Sequence, residues 1–278
     1  MVKKKILGIV ASYRNAGNCE IIVKAAAEKM GNDFSLSLIR LPKLKIYPCK
    51  GCYACLLPGG KCRLKDDMYW LIDRMRESEA VVFAAPNYTL APVGIVKMIS
   101  DRAIQAAPFS EELKNKRTAV ALTLGKEDYR GYADTALVSQ VRTLGLDVVS
   151  LHSFIGTHPG EAVLADDFGK KISEMAIALQ EGSNKNEIYP DRCPRCFSDL
   201  FRIRGGSLEC AVCKSQARQK GDALDFYFFH PEFTEEGRKE HMKWLLMKKE
   251  EYPALKERLN KIQDDYRGGD WLSPAGEE

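Results

Sequence analysis

No stretch of eighteen or more apolar residues occurs in this 278-residue chain, so none of its helices is expected to span a bilayer. A secretory leader is not expected either. The basic start, Met1 to Lys5, leads into an apolar run from Ile6 to Ala11 that is too short and lacks a cleavage-type site. That run reads better as a first strand, and the cytoplasm is the default location. The net charge is only +4, with both signs interspersed, which gives no field to gather nucleic acid or acidic lipid. Neither a nucleic-acid nor a membrane partner is therefore expected. Histidine is scarce, and His152, His158, His230 and His241 share no ligand spacing, so core packing or exposure is expected for each. The phosphate-loop pattern G-x4-G-K-[ST] and the dinucleotide pattern G-x-G-x-x-G are both missing.

Cysteine is what the chain does have. Nine occur, and in a reducing compartment clustered cysteines read as metal ligands or redox groups rather than disulfides. Eight fall into two sets of four, and Cys19 stands alone. The first set, Cys49, Cys52, Cys55 and Cys62, joins two successive C-x2-C steps to a Gly-containing loop that can bring the fourth thiol round. Compact spacing of this kind favours a [4Fe–4S] cluster, the rival readings being free thiols or zinc. The second set has separated knuckles, Cys193-x2-Cys196 and Cys210-x2-Cys213. That form suits a zinc ribbon, in which four thiolates close a tetrahedral site and stabilise a module with little core. Mononuclear iron of the rubredoxin kind is the alternative.

With 45% hydrophobic and 29% charged residues, the chain can bury a normal core, and its length allows one full domain plus a small second one. Nearly continuous apolar runs at Lys4 to Ala11, Phe34 to Leu41, Ala80 to Ala85, Arg117 to Leu124 and Leu146 to Phe154 predict strands buried on both faces. Helices are predicted between them at Asn18 to Met30, Asp66 to Glu77, Pro92 to about Ile104, Tyr132 to Leu144 and Asp166 to Gln180. In the second of these, Met68, Leu71, Ile72 and Met75 lie at helical spacing. This alternation predicts an α/β fold with a doubly wound, five-stranded parallel sheet of flavodoxin-like order.

The expected divisions are 1–182 for that domain, 188–230 for the four-cysteine zinc-ribbon-like module, and 231–278 for a charged helical tail. A polar linker is expected near Glu181. The tail is expected to break at Pro253 and to pack on its own domain. Its Tyr252, Leu255, Leu259, Ile262 and Tyr266 form an apolar seam that a two-fold partner helix could also use.

Three loops are expected at the carboxyl edge of the sheet, where ligands of such folds bind. The first, Ala11 to Cys19, leads into a helix and can present backbone N–H groups to a phosphate, with Ser12, Arg14 and Asn18 assisting; an ordinary βα connection is the equal alternative. The second, Ala85 to Pro92, is stiffened by prolines and carries Tyr88, which could line a flat ring. The third is Thr123, Leu124, Gly125 and Lys126. The segment Gly156 to Gly160 has only its position to suggest a role.

With these motifs in order, residues 4 to about 155 resemble the NADPH-dependent FMN reductase family, and in particular its iron–sulfur flavoprotein branch. The resemblance is carried by Ala11-Ser-Tyr-Arg-Asn-Ala-Gly-Asn-Cys19, by Pro48 to Cys55 followed by Cys62 and Asp66-Asp67-Met68, and by Pro86-Asn87-Tyr88 followed by Lys97 to Arg102. It implies FMN on a flavodoxin fold. Ser12, Arg14, Asn15, Gly17, Asn18 and Cys19 would lie at the phosphate. Pro86, Asn87, Tyr88, Thr89, Leu90 and Ala91 would lie at the isoalloxazine, with Thr123, Leu124 and Gly125 on the far side of the ring. It also implies a homo-oligomer, a dimer or a tetramer.

The expected function is thus an FMN-dependent oxidoreductase passing electrons between NAD(P)H or a ferredoxin-type carrier and an acceptor, through FMN and a [4Fe–4S] cluster. No acid–base dyad or nucleophile is needed, and no catalytic side chain is nominated. The alternatives are a flavin or quinone reductase without a cluster and a redox-sensing protein that binds a partner through the ribbon.

Overall fold

A computed structural model describes residues 3–57, 59–182 and 189–267. The expected linker near Glu181 lies largely outside them. Five parallel strands, β1 (Lys4–Val10), β2 (Phe34–Arg40), β3 (Ala80–Tyr88), β5 (Arg117–Leu124) and β6 (Asp147–Ile155), lie in the order β2-β1-β3-β5-β6. This is the flavodoxin-like order that the alternating pattern predicts. A two-residue strand, β4 (Ala91–Pro92), pairs antiparallel with the end of β3. The inner strands β1, β3 and β5 are nearly all buried because helices cover both faces. In contrast β2, expected to be buried likewise, alternates and leaves Leu38 exposed because it is an edge strand. Helices α1 (Asn18–Lys29) and α6 (Phe168–Glu181) pack Ile22, Val23, Met175 and Leu179 on one face. On the other, α2 (Met68–Arg76), α3 (Gly94–Ser100), α4 (Ser110–Leu113) and α5 (Ala133–Thr143) bring Leu71, Ile72, Ile99, Leu113 and Leu137 onto Phe83 and Val120.

Three elements differ from the sequence reading, each for a local reason. Pro92 opens no helix, because Ala91 and Pro92 pair with Tyr88 and Asn87 in a hairpin. The third helix therefore starts at Gly94, and it gives way to a 3-10 stretch at Ala103–Phe109. The second helix starts at Met68 rather than Asp66, because Asp66 and Asp67 are used in the preceding loop. Their carboxylates accept the backbone N–H groups of Tyr47 and Lys45. The tail is one helix, α7 (Glu235–Asp264), with Pro253 inside it. The missing proline N–H leaves one carbonyl unpaired, which solvent can satisfy because no residue of α7 is buried. The tail seam is correspondingly open. Tyr252, Leu255, Ile262 and Tyr266 are exposed, not packed on the domain.

The second sheet is an antiparallel meander of β7 (Phe201–Arg204), β8 (Ser207–Cys210), β9 (Gln216–Lys220) and β10 (Ala223–Phe228). It is fastened to the first in several ways. Phe197, fully buried, belongs to the main core and meets Tyr189 edge to face at 5.1 Å. The Tyr189 hydroxyl donates to the Leu151 carbonyl at 2.7 Å and accepts the Leu151 N–H at 3.1 Å, so it satisfies groups on the outermost strand β6. Arg192 reaches Asp134 of α5 at 2.7 Å and Asp199 at 3.1 Å. Among the described residues, no helix is long and apolar enough to cross a membrane.

Removing the Phe197 ring should leave a cavity between the two sheets. Phe197→Ala is expected to cost about 3–5 kcal/mol, read as a lower urea midpoint for a single transition that includes both sheets. An unchanged midpoint would show that Phe197 does not join them.

Candidate functional site

The first loop is held from below and from the side. Ala11 N–H donates to the Ala84 carbonyl at 2.8 Å, which continues the β1–β3 pairing into the turn. Ser12 is buried, and its hydroxyl accepts the Arg14 N–H at 3.3 Å. Gly17 caps α1 without any side-chain hydrogen bond to the helix end, so the first-turn N–H groups and the positive end of the dipole stay available to an anion. Arg14 adds charge while donating to the Thr157 carbonyl at 2.6 Å.

Asn18 ties this loop to the one after β6. Its amide nitrogen donates to the carbonyls of Gly156 at 2.9 Å and His158 at 3.0 Å, and its oxygen accepts from Ala162 N–H at 3.3 Å. The approach demands glycine at 156, where an added Cβ would lie 2.7 Å from Ala162 N and 2.9 Å from Asn18 Nδ2.

Two residues that the sequence reading missed brace the same loop. Arg40, at the end of β2, donates to the carbonyls of Ser12 at 2.9 Å and Arg14 at 2.8 Å, and it pairs with Glu20 at 2.5 Å. Glu20 also accepts the Ala16 N–H at 2.9 Å and meets Lys24 at 2.6 Å. Hydrogen bonding from Lys24, with Arg40 and Ala16 adding to it, holds this carboxyl down to about 2. No local sequence signal marks Arg40; only strand order brings it here. Cys19 turns inward, its thiol 3.3 Å from the Thr123 hydroxyl, and burial pushes it up to about 11. It is therefore a neutral thiol at ordinary pH.

The second loop is the β3–β4 hairpin, turned by Thr89 and Leu90 at φ 51° and 66°. Left-handed backbone is costly for such residues, and the neighbouring chain holds it in place. Tyr132 N–H donates to the Leu90 carbonyl at 3.2 Å. Asn87 Nδ2 donates to the Tyr129 carbonyl at 2.5 Å, while its Oδ1 is buried with no partner among the described residues. An unpaired buried acceptor is expensive and suits a ligand N–H.

These pieces converge. Ser12, Arg14, Asn18, Cys19, Pro86, Asn87, Tyr88, Thr123, Leu124 and Gly125 line one cavity of about 140 Å³, together with Gly156 and Thr157. Asn15, Gly17, Thr89, Leu90 and Ala91 lie outside its wall. The cavity combines an uncapped helix start and an arginine with an orphaned amide oxygen, a donor and acceptor set that fits a phosphate and a flat heterocycle. Its volume is enough for the phosphate-bearing end of such a ligand, and Tyr88 at its rim is exposed. Of the histidines, His152 is largely buried and pushed down to about 4 by that burial. His241 stacks on Trp244 at 5.8 Å.

The two cysteine sets differ in geometry. The ligand atoms of Cys193, Cys196, Cys210 and Cys213 all lie within 4.8 Å of one another and are buried. The pairs Cys193–Cys213 and Cys196–Cys210 stand at 3.5 Å. One tetrahedral ion with metal–sulfur bonds of about 2.3 Å sets sulfurs about 3.8 Å apart, so this site fits a single ion. Mutual hydrogen bonding within the quartet raises the Cys193 and Cys196 thiols and lowers those of Cys210 and Cys213, so the four behave as one group.

No such tight group forms at the early set among the described residues. Cys49 and Cys52 are exposed, while Cys55 and Cys62 are half-buried. Burial first, and then the charges of Cys62, Cys49 and Cys52, raise the Cys55 thiol, so the four remain electrostatic neighbours. The loop is anchored beneath by a buried ion pair between Arg102 and Asp66, exposed by 1% and 0%. Arg102 also donates to the Tyr47 carbonyl at 3.1 Å and points to Cys62 Sγ at 3.7 Å. None of the early four lines the cavity at the sheet edge.

Comparison with known proteins agrees with this geometry. The sequence profile of the NADPH-dependent FMN reductase family matches residues 4–158. An iron-sulfur flavoprotein of Archaeoglobus fulgidus is 30% identical over 184 residues, covering 63% of this chain and 88% of its own. One from Methanosarcina thermophila is 30% identical over 179 residues, covering 63% of this chain and 93% of its own. A solved flavone reductase superposes over 99% of this chain and 100% of its own with a TM-score of 0.68 at 19% identity. The second sheet and tail thus belong to an architecture found elsewhere.

Two outcomes follow from the loop geometry. Gly156→Ala should displace Asn18 and weaken binding of FMN, the ligand in the matched family's name, by about tenfold in a flavin fluorescence titration, with circular dichroism unchanged. Glu20 has a folded pKa below its ordinary value of 4.5, so its contribution to stability is present above that value and lost as the pH falls toward about 2. The urea midpoint should drop across that window, and Glu20→Gln should remove part of the drop.

Proposed function

Because this chain belongs to the NADPH-dependent FMN reductase family, we propose that it is an FMN-dependent oxidoreductase whose flavin sits at the carboxyl edge of the parallel sheet. The proposed redox partners are NAD(P)H or a ferredoxin-type carrier on one side and an electron acceptor on the other. The observation that carries this reading is the convergence of three loops on one cavity, with an uncapped helix start and the unpaired Asn87 oxygen both at hand. Ser12, Arg14, Asn18 and the first-turn amides of α1 would hold the phosphate. Asn15, Gly17 and Cys19 would shape that turn, Cys19 from beneath it. Pro86, Asn87 and Tyr88 would face the isoalloxazine, the hairpin tip Thr89 to Ala91 would border it, and Thr123, Leu124 and Gly125 would close the far side. FMN itself supplies hydride acceptance and one-electron transfer. The chain's own residues position it, neutralise its phosphate and limit water on one face. No side chain here is assigned a proton-transfer step.

In the same reading, Cys49, Cys52, Cys55 and Cys62 hold a [4Fe–4S] cluster, supported by the mutual electrostatic influence of their thiols on one short loop and by the iron-sulfur flavoproteins that the chain resembles. Cys193, Cys196, Cys210 and Cys213 hold zinc, or a mononuclear iron, supported by their tight tetrahedral spacing. The chain is proposed to work as a homo-oligomer, a dimer or tetramer. A second reading, a flavin or quinone reductase without a cluster, is favoured by one observation: no early cysteine borders the flavin cavity.

Metal and flavin analysis of protein purified without oxygen separates the two. The first reading expects about one FMN, about four iron and about four sulfide per chain, with about one zinc. Cys55→Ser should then lose iron and sulfide while keeping flavin and zinc, and Cys196→Ser should lose zinc. Flavin and zinc without iron or sulfide would select the second reading, and absence of flavin binding would overturn both.

A further inference from the structure

A second cavity, of about 480 Å³, lies away from the flavin edge and shares no lining residue with it. Parts distant in sequence build its wall: Cys49, Tyr53 and Cys55 of the early cysteine loop, the 3-10 stretch near Ala107, Leu144 after α5, and Phe233 and Met242 beside and within α7. Most of that wall is apolar. Its volume falls in the range of sites that enclose a small organic molecule, about 300–1,000 Å³.

Two guanidinium groups also line it. Arg142 lies over the Phe233 ring at 5.6 Å, and its Nε and Nη1 are buried without a hydrogen-bond partner among the described residues. Arg238 donates from Nη1 to the Phe233 carbonyl at 3.1 Å, but its Nε is likewise buried and unpartnered. The acidic groups nearby do not satisfy these atoms. Glu232 faces Lys214 at 3.0 Å, Asp101 is taken by Lys97, and Asp147 acts on Arg142 without an acceptor at Nε or Nη1. Burial pushes the Arg142 guanidinium down, while Asp147 and then Cys196 pull the other way. Guanidinium N–H donors that are buried and idle at the wall of an apolar chamber are costly unless an acceptor joins them.

We propose that this cavity is a binding site for a small amphiphilic anion, an apolar body bearing one carboxylate or phenolate that Arg142 and Arg238 engage. An arginine fork meets a planar anion better than an ammonium would, and Phe233, Tyr53 and Met242 receive the apolar body. Because Cys49 and Cys55 share the wall, a bound molecule would cover part of the cysteine loop, whichever metal that loop carries. The site is separate from the flavin site and does not rest on the reading of it.

The test uses FMN-loaded, metal-replete protein and two probes of equal shape, 2-naphthoate and neutral 2-naphthamide, in calorimetric titrations. Naphthoate should bind once per chain without displacing FMN, and naphthamide about tenfold more weakly. Arg238→Gln, at the start of the solvated helix, should remove most of that preference. Ala107→Leu, which fills the chamber, should weaken both probes while flavin absorbance stays unchanged. Equal affinity for the two probes, release of FMN by naphthoate, or naphthoate binding untouched by both variants would overturn the proposal, as would no saturable binding at all.

Discussion

Parallel strands cannot be joined by tight turns; each needs a crossover helix, and this constraint generates most of the molecule. The crossovers cover both faces of the β2-β1-β3-β5-β6 sheet, which is why its inner strands are apolar almost without alternation. The same constraint delivers the loops after β1, β3, β5 and β6 to one edge. Residues more than a hundred positions apart, such as Asn18 and Gly156, meet there through a single amide. The binding edge is thus a consequence of topology, refined by Arg40 and Glu20 clamping the first loop from beneath.

The two cysteine sets share one ligand type but differ in geometry. The later set is buried and tight, with backbone hydrogen bonds such as Cys193 N–H to the Ser198 carbonyl fixing each knuckle. Its sulfurs share one small volume, as ligands of one ion must. The early set lies on a looser loop with two exposed thiols. A buried pair, Arg102 and Asp66, anchors that loop to the core. Removing either partner would strand a charge away from water, which costs about 3–5 kcal/mol. The aspartate and arginine of the two family motifs therefore act structurally as one unit under the cysteine loop.

The second sheet is less a separate module than its cysteine spacing suggests. Tyr189, Arg192 and Phe197 dock it to β6, α5 and the main core, and the start of α7 is joined to the body by Glu235 and Lys114 at 2.9 Å. The chamber walled by the cysteine loop, Leu144 and Phe233 exists only because these parts are packed together. Beyond its first turns α7 projects its aromatic seam into solvent, so the tail has a face that its own chain does not cover.

Hydrophobic periodicity made the parallel sheet and the five helices around it legible from the sequence, because burial on both faces leaves a nearly unbroken apolar signature in the inner strands. The cysteine spacings likewise set two quartets apart, since ligand spacing is short-range, but that the later, separated one would be the tighter in space was not legible in them. Most of the residues that line the cavity at the sheet edge were legible too, through the loops that topology must place there. What tertiary structure alone decided is what depends on contacts between distant segments: Arg40 bracing the first loop, Asp66 paired with Arg102, the hairpin that took Pro92 out of its helix, and Phe197 locking the second sheet into the first core. Local spacing encodes which face is buried and which ligands can share an ion. It does not encode which distant partner a charged or aromatic side chain will find, because that is fixed only when strand order brings the segments together.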